Sequence, residues 1–328
     1  MNALPGPPAD RPVVAVLHED DLPPGLTEDV AAAELRFARA DELPDALAGA
    51  HVLLVWDFLS SAVEDAWPAA DRLQWVHAAS AGVDRLMFPA LVDSDVLVTN
   101  SRGVFERPIA EYVLGLLLAF AKDLPRSWDL QRERSWLHRE TETLAGTHAV
   151  VVGTGPIGRE TGNLLRAVGM AVTLVGRTER HDPEFGVVCA TEDLPALVAE
   201  ADFVVAAVPL TPQTTGLFDR RLFRAMRRTA RFVNVGRGPS VVERDLLDAL
   251  EAGEIAGAAL DVFEEEPLPP GHPLWSATRL FVSPHMSGDA GGWREALVRL
   301  FLDNLDRWRR GDPLRNVVDK QRGYVPGG

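Results

Sequence analysis

The chain has 328 residues, 46% hydrophobic and 25% charged, with a mean hydropathy of −0.02, which is the profile of a globular protein long enough for two domains. A formal net charge of −15 and a pI near 5.0 exclude nucleic acid and anionic membrane surfaces as main partners, because both call for basic patches. The single cysteine, Cys189, excludes an internal disulfide and a multi-cysteine metal site, and its place in the run Val187-Val188-Cys189 reads as packing.

The opening residues, MNALPGPPADRP, have neither a basic nor an apolar stretch of the kind a signal peptide needs. The longest apolar run, residues 112–121, is too short to span a bilayer. A cytoplasmic location is therefore expected. Val13–Leu17 reads as a buried strand, residues 31–37 as a helix followed by a strand, and residues 52–56, 73–77 and 96–99 as further strands. Short β-rich runs separated by helix-length segments predict a parallel sheet covered by helices. Residues 108–121, PIAEYVLGLLLAFA, predict a helix that is apolar nearly all round and hence buried between domains or subunits. A second α/β series starts at His148–Val152 and continues with strands at 171–175, 203–208, Arg231–Asn234, Gly257–Leu260 and Leu280–Val282. Trp293–Arg310 closes the chain as an amphipathic helix, with Ala296, Leu297, Leu300, Phe301, Leu305 and Trp308 on its apolar face.

The strand at 149–152 runs directly into Gly153-Thr154-Gly155-Pro156-Ile157-Gly158 and a helix at 159–168. This is the GxGxxG fingerprint in the setting that its chemistry requires. Gly153 permits the tight turn, Gly155 lets the backbone approach a pyrophosphate, and Gly158 lets the helix pack closely on the strand. Enzymes that use NAD place an Asp or Glu near the end of the next strand to bind the ribose 2′-OH. Here that strand ends in Gly176-Arg177-Thr178-Glu179-Arg180, with Arg177 in the acid's place. A guanidinium suits a 2′-phosphate, Thr178 adds a hydroxyl and Arg180 more charge, so NADPH is expected over NADH. Glu179 could still do the acid's work, which keeps NADH open.

Three later segments put polar residues at strand ends, where open α/β sheets bind their ligands. They are Asn234-Val235-Gly236-Arg237-Gly238, the stretch from Asp261 to Glu266-Pro267, and Ser283-Pro284-His285. Reduction of a 2-oxo acid needs a cation for the carboxylate and carbonyl, a proton donor, and an anion to steady the donor. Arg237, His285 and a glutamate of the Glu264-Glu265-Glu266 run supply these three roles, and no metal is called for.

The same segments, with Ala78-Ala79-Ser80-Ala81-Gly82-Val83-Asp84, Ile109-Ala110-Glu111-Tyr112 and Val208-Pro209-Leu210-Thr211, resemble the D-isomer-specific 2-hydroxyacid dehydrogenase family along nearly the whole chain. The GRT strand end and the SAGVD loop are most similar to its glyoxylate/hydroxypyruvate reductase branch. The resemblance implies an α/β fold of two doubly wound parallel-sheet domains, with a Rossmann domain (residues 101–288) inserted into a flavodoxin-like substrate domain (1–100 and 289–328). It implies that the substrate lies in a cleft between them, and that the protein is a homodimer. His285 becomes the acid/base, Glu266 its partner that raises the imidazole pKa, and Arg237 the carboxylate anchor. Backbone N–H groups of Ala81, Gly82 and Val83 would hold the carboxylate's other end. Val235 and Asp261 would meet the nicotinamide carboxamide, with Val208, Pro209, Thr214 and His285 among the other cofactor contacts.

Two relatives are set aside on single residues. Formate dehydrogenases pair their His with Gln, where this chain has Glu266. Phosphite dehydrogenases carry a Lys in the loop that here reads Ala79-Ser80-Ala81-Gly82. A dinucleotide-sensing corepressor with little turnover is the alternative function. Trp56, just past the third strand, is a candidate wall of the substrate pocket and equally a core or interface residue.

Overall fold

The computed structural model describes residues 11–326 and divides into two compact units, Met1–Phe105 with Gly291–Gly328, and Glu106–Ala290. The leader MNALPGPPAD lies outside the described residues.

The first unit is built on β1 (Val13–Leu17), β2 (Glu34–Ala38), β3 (Val52–Val55), β4 (Trp75–Ala78) and β5 (Leu97–Thr99), all parallel, in the order β2-β1-β3-β4-β5. That is the flavodoxin-like doubly wound order. β1, β3 and β4 are buried along their whole length, which is why they read as unbroken apolar runs rather than alternating ones. The helix before β2 occupies Glu28–Ala31, earlier than the sequence suggests. The Thr27 hydroxyl caps it by accepting Val30 N–H, and Ala32, at φ 45°, turns the chain into the strand. β3 stops at Val55, leaving Trp56 just beyond it and only 8% exposed.

β4 carries a residue that no motif singled out. His77 is fully buried, with Nδ1 2.7 Å from Thr99 Oγ1, and Trp75 Nε1 donates to the same hydroxyl at 2.8 Å. Burial pushes the His77 pKa down to about 3, so the ring is neutral. Phe301, from the closing helix Trp293–Arg310, stacks on Trp75. The buried side of that helix is Leu297, Val298, Phe301, Asn304, Leu305 and Trp308, so four of the six expected apolar positions are buried, Ala296 and Leu300 are only partly so, and Val298 and Asn304 join them.

The second unit holds β6 (His148–Val152), β7 (Ala171–Gly176), β8 (Arg180–Asp182), β9 (Gly186–Ala190), β10 (Phe203–Ala206), β11 (Arg231–Asn234), β12 (Gly257–Leu260) and β13 (Leu280–Val282). Their order is β13-β12-β11-β10-β6-β7-β9-β8, parallel throughout except for β8 against β9. This is the dinucleotide-binding arrangement, lengthened at both ends. The β8–β9 hairpin is not among the expected strands: β7 ends at Gly176, and Arg180 begins β8. Its support is non-local and left no periodic signal. The nearly buried Asp182 takes Arg159 at 2.6 and 3.2 Å and the N–H groups of Glu184 and Phe185 at 3.0 Å. The Arg159 hydrogen bond chiefly holds the Asp182 carboxyl well below the usual carboxylate range. Phe185 lies under the guanidinium groups of Arg159 and Arg166 and fills the notch at Gly162, where a Cβ would come within 2.8 Å of its ring.

The helix Glu106–Ala121 buries Ile109, Ala110, Val113, Leu117 and Ala121 and packs on helix Pro156–Ala167. Gly115 and Leu118, on its other side, are exposed within this unit.

Candidate active site

The glycine turn is shaped by collisions that only glycine avoids. Gly153 has φ +125°, and a Cβ there would stand 2.3 Å from Ala207 O, while one at Gly158 would stand 2.1 Å from Gly153 O. Gly155 differs, since it is exposed and a Cβ on it would meet nothing within 4 Å. It is the N-cap of helix Pro156–Ala167 and offers no side chain to the first-turn N–H groups. An open backbone beside an uncapped helix start fits a pyrophosphate, which would take those N–H groups and the positive end of the helix dipole.

Beside this turn, Arg177, Thr178, Glu179 and Arg180 follow β7 and are all exposed. Arg180 folds back towards the strand end, where a Cβ on Gly176 would meet its Nη1 at 2.8 Å and Thr154 Cγ2 at 3.2 Å. The second-strand end and the glycine turn thus meet beside the Arg180 guanidinium. Thr214 is more occupied than its expected cofactor contact implies. Its hydroxyl accepts Thr211 N–H at 2.8 Å and donates to Pro209 O at 2.6 Å, which ties together the loop that follows Val208.

Three turns at the carboxyl ends of β11, β12 and β13 bring the catalytic candidates together. After β11, Asn234 accepts Gly236 N–H at 3.0 Å and donates to Arg237 O at 3.1 Å, so its side chain braces the turn. Gly236 lies against Val208 and Gly238 against Phe263, where Cβ atoms would stand 2.7 and 1.8 Å from the respective carbonyl oxygens. Arg237 is held between these two contacts and is half-buried.

After β12, Asp261 is 1% exposed, and both of its carboxylate oxygens serve the third turn. Oδ1 accepts from Ser283 Oγ at 2.7 Å and Met286 N–H at 3.0 Å, and Oδ2 accepts from Ser287 N–H at 2.9 Å. His285 N–H also donates to Asp261 O at 2.8 Å, and His285 sits at φ 51°, a left-handed conformation that these bonds hold in place. Sequence reasoning gave Asp261 a cofactor contact and missed this bracing of the histidine turn. The carboxylate's position after a strand was visible, but its partners were not.

The catalytic pair closes between the second and third turns. His285 Nδ1 donates to Glu266 Oε2 at 2.8 Å, and Glu266 Oε1 accepts Phe263 N–H at 2.9 Å. Burial pushes the Glu266 pKa upward, but the His285 hydrogen bond and charge, the Phe263 N–H and the Arg237 charge outweigh it, and the net shift is downward. Glu266 is therefore an anion at neutral pH, within the field of the Arg237 guanidinium. Nδ1 is thus the ring nitrogen of His285 that faces Glu266.

The Ala81-Gly82-Val83 loop belongs to the first unit. Asn100 Nδ2 donates to Ala81 O at 2.5 Å and Ser80 Oγ to Gly82 O at 2.6 Å, so side chains of the first unit hold the loop's carbonyl groups. Val83 is buried.

The family described as "D-isomer specific 2-hydroxyacid dehydrogenase, NAD binding domain" matches residues 114–287. The human protein named glyoxylate reductase/hydroxypyruvate reductase is 32% identical over 283 residues, covering 84% of this chain and 86% of its own. A glyoxylate reductase of Thermofilum pendens is also 32% identical, over 93% and 88% of the two chains. Among solved structures, a D-isomer specific 2-hydroxyacid dehydrogenase of Xanthobacter autotrophicus Py2 in complex with NADPH and MES matches at TM-score 0.81 and 32% identity, over 95% of this chain and 100% of that one. An NADPH-dependent glyoxylate/hydroxypyruvate reductase of Sinorhizobium meliloti, in complex with NADP and sulfate, matches at TM-score 0.82 and 28% identity, over 96% and 100%.

Proposed function

Because the chain belongs to the D-isomer-specific 2-hydroxyacid dehydrogenase family, we propose that Arg237, Glu266 and His285 reduce a small 2-oxo acid of the glyoxylate or hydroxypyruvate kind, with NADPH preferred. The protein is an NAD(P)-dependent oxidoreductase acting on 2-oxo and 2-hydroxy acids. The observation that carries the residue assignment is the 2.8 Å His285–Glu266 pair, with the charge of Arg237 reaching the same carboxylate. A corepressor with little turnover is the second reading, and the presence of this pair favours turnover over it.

When bound, the nicotinamide supplies the hydride that reaches C2 of the substrate. Arg237 pairs with the substrate carboxylate and polarises the carbonyl. His285 gives the Nε2 proton to the carbonyl oxygen, and Glu266 steadies the imidazolium before that transfer and orients the ring through it. In the reverse direction His285 takes the hydroxyl proton. Backbone N–H groups of Ala81, Gly82 and Val83 are proposed to meet the carboxylate's other end. We assign residues 101–288 to the dinucleotide domain and 1–100 with 289–328 to the substrate domain.

The test is a substrate panel (glyoxylate, hydroxypyruvate, pyruvate and phenylpyruvate) run with NADPH and with NADH. Absence of cofactor oxidation with every acid would refute the assignment. Turnover confined to phenylpyruvate would move the substrate class to bulkier acids.

A homodimer formed around helix Glu106–Ala121 is also proposed. Its support is an exposed apolar series that runs on from that helix: Leu118 and Leu124 at 38%, Trp128 and Leu137 at 55%, and Trp136 fully exposed. Light scattering at micromolar concentration decides it, and a particle of 35.7 kDa would refute it. The cytoplasm is the proposed location, where a reduced nicotinamide pool can supply the reaction.

A further inference from the structure

A second contact between a carboxylate and an imidazole lies beside the first. Glu243 opens the helix Glu243–Glu251, and it is 5% exposed. Its Oε1 accepts Glu264 N–H at 2.8 Å, and its Oε2 lies 3.5 Å from His272 Nε2. Glu264 answers with Oε1, which accepts Glu243 N–H at 3.1 Å. An exposed Ser or Asp at the N-cap would satisfy that helix start at less cost in desolvation. Burial raises the Glu243 pKa, and the charges of Glu264 and Glu266 raise it further, against the Glu264 N–H bond and the charge of His272. The position is thus an unfavourable one for a carboxylate, and helix capping alone does not account for it.

The turn that Glu243 grips does account for it. Two adjacent backbone amides are each held by a carboxylate, Phe263 N–H by Glu266 and Glu264 N–H by Glu243. Between these bonds, the Phe263 carbonyl lies against Gly238, the residue after Arg237. Glu266 reaches His285 from the same turn. Glu243 therefore sits at the outer end of a series of contacts that runs through residues 263–266 to the imidazole.

We propose that Glu243 is a positioning residue: through Glu264 N–H it fixes the turn from which Glu266 holds His285, and so sets the imidazole relative to Arg237. This rests on the roles given above to Arg237, Glu266 and His285. The experiment measures kcat, KM and NADPH affinity for wild type, Glu243→Ala, Glu243→Gln, Glu266→Ala and the Glu243→Ala/Glu266→Ala double variant.

Glu243→Ala is expected to lower kcat about tenfold, because small misplacements of a catalytic group cost that much or more. NADPH affinity should stay within about twofold, since the glycine turn is untouched. Glu243→Gln should recover most of the rate, because its amide oxygen still accepts Glu264 N–H. In the Glu266→Ala background, Glu243→Ala should add less than about a twofold loss, as required of a residue that acts through Glu266. An unchanged kcat in Glu243→Ala, or an equal loss in both backgrounds, overturns the proposal. Should Glu243→Ala not fold, Glu243→Asp, which withdraws the carboxylate by one methylene, takes its place in the cycle under the same criteria. A wild type without turnover refutes the functional reading itself, whereas an active wild type with a flat cycle refutes only this inference.

Discussion

The turns that carry Arg237, Glu266 and His285 and the strand end that carries Arg177 stand on the same side of one sheet, yet they are built in opposite ways. In the catalytic turns each functional group is braced by others. Asn234 holds the Arg237 turn, Asp261 holds the His285 turn through four hydrogen bonds, and Glu266 spends one oxygen on backbone and the other on the imidazole. At the strand end, Arg177, Thr178, Glu179 and Arg180 are all exposed. Proton transfer needs reacting atoms placed to a fraction of an ångström, whereas recognition of a 2′-phosphate needs charge nearby and tolerates movement. The contrast separates residues that do the chemistry from residues that tune the choice of cofactor, and the two groups should respond to mutation on different scales.

The largest effect is expected at the proton donor. His285→Ala should lower kcat by about 10²–10⁴-fold with NADPH affinity nearly intact. A variant that keeps more than about a tenth of wild-type kcat would remove His285 from the mechanism. Arg237→Ala should come next, raising KM and lowering kcat together, because the guanidinium meets the carboxylate in the ground state and the polarised carbonyl in the transition state. Unmoved values of both constants would show that the carboxylate is anchored elsewhere.

The exposed strand end should give a smaller and more selective response. A charge-assisted contact worth about 1.5–3 kcal/mol corresponds to roughly a ten- to hundredfold preference in kcat/KM for NADPH over NADH, with solvent screening favouring the lower end. Arg177→Asp should abolish or invert that ratio and leave the better of the two kcat values within a few-fold. A wild type that prefers NADH, or a ratio unmoved by the substitution, would show that Arg177 does not read the phosphate.

The smallest expected effect concerns acid stability. Glu266 ionises in the folded protein below its ordinary value of 4.5. At pH values between the two, the unfolded chain binds the extra proton, so the stability this carboxylate contributes is fully present above about pH 4.5 and is lost as pH falls through its folded pKa. Thermal melts of wild type and Glu266→Gln across pH 6 to 3 should therefore converge on the acid side. Parallel curves would remove Glu266 from the charged pair. Arg177→Asp lies outside that pair and should leave the melts at these pH values close to wild type.

Most of the strand framework could be read directly. β1, β3, β6, β10, β11 and β12 are buried along most or all of their length, so the apolar runs that mark them in sequence persist in the fold. The β8–β9 hairpin could not be read this way. Arg180-His181-Asp182 has no apolar pattern, and its strand is held through Asp182 by Arg159, from elsewhere in the chain. The helix Glu106–Ala121 was legible as a helix but not as to its surroundings, since composition cannot tell a stripe packed on one neighbour from a helix enclosed on every side.

The sequence by itself determined the strand–turn–helix at Gly153–Gly158, the basic strand end at Arg177, and the presence of Arg, Glu and His after three successive strands. Those are local features, fixed by backbone sterics and by residue type at a strand end. Tertiary structure alone decided that Glu266 and His285, 19 residues apart, meet at 2.8 Å, and that Asp261 reaches across to hold the turn of the histidine. It alone decided that Glu243 is buried against the turn that positions them. The physical reason is that each of these bonds joins neighbouring parallel strands or the helices between them. The crossover sets which carboxylate meets which donor, and that pairing leaves no period or motif along the chain.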